Sequence, residues 1–171
     1  MEDRTEAVAY SRIGEIYFRA NRIADSVDWC RRAYKLLKAL ADDHPKDANA
    51  LRNLASISHQ LAEAEWRIGN GVRARELHAD GLRLQTVRRS LLRENAEEME
   101  VVTTDLDIAE SYAHVAYADL RLGEPKKALA NYHAADAGFV ALRPPLGNML
   151  RVRRTRAEIQ VRLGDACSRL N

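Results

Sequence analysis

Ala116-Tyr117-Ala118-Asp119-Leu120-Arg121-Leu122-Gly123 is one of four copies of a single eight-residue pattern. The others are Gly14-Glu15-Ile16-Tyr17-Phe18-Arg19-Ala20-Asn21, Ala62-Glu63-Ala64-Glu65-Trp66-Arg67-Ile68-Gly69 and Ala157-Glu158-Ile159-Gln160-Val161-Arg162-Leu163-Gly164. Each copy opens on Gly or Ala, where another backbone can approach closely, and places Arg five positions later. Each closes on Gly or Asn, the residues that most readily take the left-handed conformation ending a helix. A helix-stop signal that recurs behind the same small residue marks one structural unit copied along the chain.

Working outward from these stops, apolar residues recur every three or four positions. Ala9, Ile13, Ile16, Tyr17 and Ala20 line a first helix over residues 3–20, which Asn21 ends. Ile23, Val27, Cys30, Ala33, Tyr34, Leu37 and Leu40 line a second, which fails at Asp42-Asp43-His44-Pro45, because a residue before proline is driven out of the helical region. Asp47 is an N-cap for a third helix through Leu51, Leu54, Ile57, Leu61, Ala64 and Ile68 to Gly69. A fourth runs from Gly71 to about Leu92, with a break expected near Asn95. The fifth carries Leu106, Ala109, Tyr112, Val115, Ala118 and Leu122. The sixth begins with Pro125 in its first turn, where a missing N–H costs nothing, and meets Pro144-Pro145 beyond Leu142. A seventh is expected over 146–163, stopping at Gly164, and Asp165 to Asn171 reads as the start of an eighth. No stretch alternates with period two, so no strand is assigned.

Composition agrees with helices rather than sheets. Hydrophobic residues make up 46% and aromatics only 6% of the 171 residues, with Ala, Leu and Arg abundant. The 27 basic and 25 acidic side chains nearly cancel, leaving +2, so no global field marks a nucleic-acid binder. Cys30 and Cys167 are the only cysteines, which excludes a disulfide framework or a zinc knuckle. The acidic start Met1-Glu2-Asp3 lacks the character of a signal peptide, and no apolar run is long enough for a membrane span. A cytoplasmic protein is the expectation.

With the small residue as eighth position, the pattern resembles the tetratricopeptide repeat. The seventh and eighth positions read Ile13-Gly14, Leu61-Ala62, Val115-Ala116 and Arg156-Ala157, and the fifteenth reads Asn21, Gly69, Gly123 and Gly164. In the second helix of each pair the twentieth is Ser26, Ala74 or Ala128, the twenty-fourth Cys30, His78 or Tyr132, and the twenty-seventh Ala33, Gly81 or Ala135. The anchors lie 48, 54 and 41 residues apart, longer than the family's 34. Such long units resemble the arrays attached to some bacterial serine/threonine kinases and signalling proteins. The resemblance implies an all-α, right-handed α-solenoid of antiparallel hairpins, forming one domain over 1–171 with repeats at 3–43, 46–93, 97–142 and an incomplete 146–171.

It also implies a concave groove lined by the first helix of each pair. Carried over, the contact residues are Glu15, Phe18, Arg19, His59, Glu63, Trp66, Arg67, Tyr117, Leu120, Arg121, Arg154 and Glu158. An arginine ladder, Arg19, Arg67, Arg121 and Arg162, beside an apolar stripe suits an acidic, partly hydrophobic peptide. Glu four residues before Arg is also an ordinary helix-surface pair. Arg121 alone has Tyr117 in place of that Glu, which makes Tyr117 and Arg121 the favoured contacts. The Lys and Asn clamp that some members use for a C-terminal carboxylate is absent, because Ser11, Glu15, His59 and Glu63 occupy its positions.

Arg143, Arg151, Arg153, Arg154 and Arg156 form a basic patch without stacking aromatics, which reads as solvated surface rather than a nucleic-acid site. His59, His78, His114 and His133 show no one-turn metal spacing and read as polar surface or interface residues. Trp29 and Trp66 read as core. Phosphate loops, nucleophile elbows and zinc-protease motifs are absent. The expectation is a non-enzymatic module that binds a protein or peptide, without cofactor, metal, membrane or nucleic acid. An open C-terminal end implies either self-association or removal from a longer array. The alternative is the regulatory or sensor segment of a larger signalling enzyme.

Overall fold

The computed structural model describes residues 2–92, 97–142 and 149–170. Seven helices account for them: α1 Glu2–Arg19, α2 Ile23–Asp43, α3 Ala48–Arg67, α4 Gly71–Leu91, α5 Glu98–Arg121, α6 Pro125–Ala141 and α7 Leu150–Ser168. The described residues include no strand. The chain divides into two compact units, Met1–Leu91 and Leu92–Asn171.

Every hairpin turns in the same way. Three residues join α1 to α2, α3 to α4 and α5 to α6, and the middle one is left-handed: Asn21 at φ 58°, Gly69 at 91° and Gly123 at 79°. In each turn the next N–H reaches back five residues, from Arg22 to the Tyr17 carbonyl, Asn70 to Glu65 and Glu124 to Asp119, each at 2.9 Å. These are the crossed hydrogen bonds that close a helix on a left-handed residue.

In the first unit α2 packs against both α1 and α3, and α4 completes the second hairpin. Helices α1 and α3 run parallel, because their contacts keep chain order. Arg4 donates to Asp47 at 2.7 Å, Ser11 and Gln60 exchange hydrogen bonds at 2.7 and 2.8 Å, and Arg67 donates to Asn21 at 2.8 Å. Asp47 caps α3 by accepting from the Asn49 and Ala50 amides at 2.8 and 3.1 Å. Burial alone would raise its pKa, but those amides and Arg4 outweigh it and hold the carboxyl below the ordinary value. A buried carboxylate, Glu65, ties the two hairpins together. It accepts from Arg31 Nε and Nη2 on α2 at 2.9 and 2.7 Å and from the Asn70 side chain at 2.7 Å, so its charge is satisfied where burial would otherwise be costly.

The eighth position explains how each hairpin closes. Gly14, Ala62 and Ala116 are all buried, and the side chains at position twenty-four across from them, Cys30, His78 and Tyr132, are buried too. At Gly14 a Cβ would lie 2.6 Å from Cys30 Sγ, closer than any real contact. Ser26 holds the same crossing, donating to the Gly14 carbonyl at 2.8 Å.

The second unit packs α6 between α5 and α7. Its core contains Val102, Ala109, Ala116, Leu120, Tyr132, Phe139, Ile159 and Leu163. Helices α5 and α7 are again parallel: Arg151 at the start of α7 pairs with Glu110 midway along α5 at 2.9 Å, and Arg169 just past the end of α7 reaches the Leu120 carbonyl near the end of α5 at 3.5 Å.

Two expectations are corrected at the C-terminal end. Gly164 does not stop a helix, because α7 runs through it to Ser168, so among the described residues Asp165 onward belongs to α7 and no eighth helix begins there. Without a left-handed φ or a following turn, a lone Gly is tolerated inside a helix at a cost of about 1 kcal/mol. Ala157 is exposed, unlike its three counterparts, because no described helix packs on that side of α7. The expected break near Asn95, Pro144-Pro145, Arg143, the start at Leu146 and Asn171 lie outside the described residues.

The two thiols differ sharply in environment. Cys30 is buried, and burial pushes its pKa to about 11 despite a contact with Ser26, whereas Cys167 is exposed. Thiolates are the reactive form, so iodoacetamide should modify Cys167 alone in the native protein and both cysteines in denaturant, read by intact mass. Native modification of Cys30 at a comparable rate would contradict this packing.

Candidate partner-binding face

The expected contact residues fall into three environments. On α1, Glu15 and Arg19 are exposed and paired with one another, the ordinary one-turn pair. On α3, Arg67 does not pair with Glu63 in that way. It crosses to α1 instead, donating to Asn21 and lying 5.5 Å above the Phe18 ring, while Phe18 and Trp66 are half-buried against the core. Trp29, read as core, is also only half-buried. It stacks on Tyr10 at 5.2 Å and lies under Arg32.

His59 and His78, nineteen residues apart in sequence, come together across the α3–α4 hairpin, with their Nδ1 atoms 3.0 Å apart. One ring must present its lone pair to the other's N–H. His78 is buried, and its Nε2 lies 3.5 Å from Glu63, so of the two readings, surface or interface, it is the interface one. Gly81 makes room for the pair, since a Cβ there would strike the His59 ring at 2.6 Å. The two Nδ1 atoms face each other, and Glu63 sits at the far nitrogen of His78.

In the second unit the contact set gathers around Tyr117. Arg121, one turn along α5, lies 5.4 Å from the ring centroid. Arg162 of α7 lies 4.1 Å from the same centroid. Cation–π contacts of this kind contribute roughly 0.5–1 kcal/mol at exposed sites. Arg162 had been expected to pair with Glu158, but Glu158 is engaged by Arg154 at 3.2 Å. Asp165 is likewise engaged by Arg169 at 3.2 Å. Beneath the cluster lies Tyr132, whose buried hydroxyl makes no full hydrogen bond. Burial raises its phenol pKa, and the neighbouring Arg162 guanidinium opposes that rise.

Leu120 is corrected as a contact residue. It is 3% exposed and shares the face of α5 that carries Ala109 and Ala116 into the core, so it packs rather than presents. Within the basic patch, Arg151 pairs with Glu110 and Arg156 with Asp136 at 2.9 and 2.7 Å. Those two are structural ties, and the Arg156 bond is the main cause holding the Asp136 carboxyl below its usual range. Arg153 and Arg154 are exposed.

Residues 5–57, spanning the first hairpin and the start of α3, match the family model described as Tetratricopeptide repeat. Over that segment the chain is similar to the tetratricopeptide repeat. The matched segment holds the first of three identical turns, and the other two hairpins repeat its small-residue crossing. Among solved structures, the crystal structure of MamA protein is similar at 15% identity, covering 99% of this chain and 93% of that one, with a TM-score of 0.29. No curated protein matches this chain. Tetratricopeptide repeats generally mediate protein–protein interactions, and none of the described helices is long and apolar enough to cross a membrane.

Proposed function

We propose that this tetratricopeptide-like chain is a non-enzymatic interaction module that binds a peptide or partner protein on the groove side of its first helices. The observation that carries this reading is the position of Tyr117: half-buried and flanked by Arg121 on its own helix and by Arg162 on α7. An aromatic and arginines fixed on rigid helices meet a ligand with little loss of side-chain freedom, and these residue types dominate binding hot spots. The reading treats residues 1–171 as one cytoplasmic domain. It includes self-association through the outer side of α7, where Leu150 and Val161 are 81% and 74% exposed.

Peptides selected from a displayed library on the wild-type chain provide the test. The Tyr117→Ala/Arg121→Ala variant, with its helicity verified by circular dichroism, should bind them roughly tenfold more weakly or worse. Unchanged affinity in the folded double variant would reject this face.

A further inference from the structure

Asn70 is followed by Gly71, and none of the other asparagines precedes a glycine. The pair stands at the elbow between α3 and α4, where Asn70 is exposed and Gly71 is the first residue of α4. Three bonds meet on Asn70. Its N–H returns to the Glu65 carbonyl at 2.9 Å, and its own carbonyl accepts from the Ala74 N–H in the first turn of α4 at 3.0 Å. Its side-chain amide donates to Glu65 Oε2 at 2.7 Å. The other Glu65 oxygen takes both bonds from Arg31, so this buried carboxylate joins α2, α3 and the elbow by accepting from donors on each.

An exposed asparagine before glycine is open to attack by its own chain. Glycine has no side chain to hinder the approach, and its backbone turns freely. The N–H at a helix start has no partner within the helix. When the amide swings off Glu65, the Gly71 nitrogen bonds to Asn70 Cγ as the Cγ–Nδ2 bond breaks, and Nδ2 leaves as ammonia with the Gly71 proton. Water then opens the cyclic imide at either carbonyl. The products are aspartate and, with the chain rerouted through Cβ, isoaspartate.

We propose that Asn70–Gly71 is a self-modification site whose conversion releases the α3–α4 elbow. Aspartate sets a carboxylate where a donor met Glu65, so two anions compete for the Arg31 guanidinium and repel one another beside a buried charge. Isoaspartate adds a second fault, because the carbonyl that accepts from Ala74 leaves the main chain.

The full chain is held in mildly alkaline buffer at body temperature and followed by peptide mapping and by enzymatic methylation of isoaspartate. Conversion should appear first at Asn70, fall to background there in Asn70→Gln and slow sharply in Gly71→Ala. Tryptophan fluorescence during urea unfolding reads the consequence, because Trp29 and Trp66 both lie in this unit. The aged chain and fresh Asn70→Asp should both unfold at lower urea, with the unfolding constant of Asn70→Asp raised roughly tenfold. Asn70→Ala, which loses the donor without adding a charge, should lose less.

The proposal is overturned if Asn70 stays intact in the native chain over the period in which the same chain converts it in urea, since the fold then blocks the attack. It is equally overturned if Asn70 converts and neither the aged chain nor Asn70→Asp unfolds earlier than wild type, since the elbow then holds without its amide.

Discussion

Tyr132→Ala should destabilise the second unit by about 3–5 kcal/mol, as for other large aromatics removed from a core, while Tyr132→Phe should change stability by less than about 1 kcal/mol. The ring is 0% exposed and sits at the centre of the α5–α6–α7 core, so truncation leaves a cavity that three helices cannot all close. The hydroxyl is a different matter. It is buried without a full hydrogen bond, and removing a poorly satisfied polar atom costs little and can stabilise. Urea unfolding followed by far-UV circular dichroism measures both variants. A loss for Phe approaching that for Ala would mean that the hydroxyl is bonded in solution and that Arg162 is engaged more firmly by Tyr132 than by Tyr117.

The second large effect is at the first crossing. Gly14→Ala should cost about 1–3 kcal/mol net, although alanine is the better helix former by about 1 kcal/mol. The new methyl would lie 2.6 Å from Cys30 Sγ, with the Cys30 amide nitrogen and Ser26 carbonyl oxygen at 3.4 and 3.5 Å. The Ser26 hydrogen bond to the Gly14 carbonyl keeps α1 from moving away. Cys30→Ala removes the sulfur and should restore most of the loss in the Gly14→Ala background, while costing stability on its own. Tryptophan fluorescence during urea unfolding reports this unit directly, because Trp29 and Trp66 both lie in it. Equal effects of Cys30→Ala in the two backgrounds would show that the two positions do not meet.

The elements legible in the chain were those announced by local chemistry. Asn21, Gly69 and Gly123 stop helices because each takes a left-handed φ, Asp47 caps α3 with its own carboxylate, and Pro125 starts α6. Gly164 carries the same letter without the same backbone, and only a following helix would have distinguished the two cases. The candidate face was half legible. Tyr117 and Arg121 stand one turn apart on a single helix, but Arg162 arrives from α7, and no spacing rule connects residues on two helices separated by a third. Arg67 shows the same limit, since its reach to Asn21 depends on how α1 and α3 lie together. His59 and His78 meet only because the hairpin folds α4 back on α3. Leu120 was misplaced because carrying over a position in the repeat ignores how far the apolar face of this particular helix extends.

The three matching elbows also explain why the chain keeps no constant period. An inserted residue at 20–22, 68–70 or 122–124 would break the five-residue return bond, and in the second and third hairpins would pull Asn70 from Glu65 or strain Asn131 away from Asp119, to which it donates at 2.9 Å. The links between hairpins differ in length: 44–47, 92–97 and 142–149. Insertions and deletions are thus confined to every second connection, so register counted from an elbow is exact for its hairpin and lost by the next. A repeat finder that assumes a fixed stride will miss copies here, whereas one that aligns elbows will recover them.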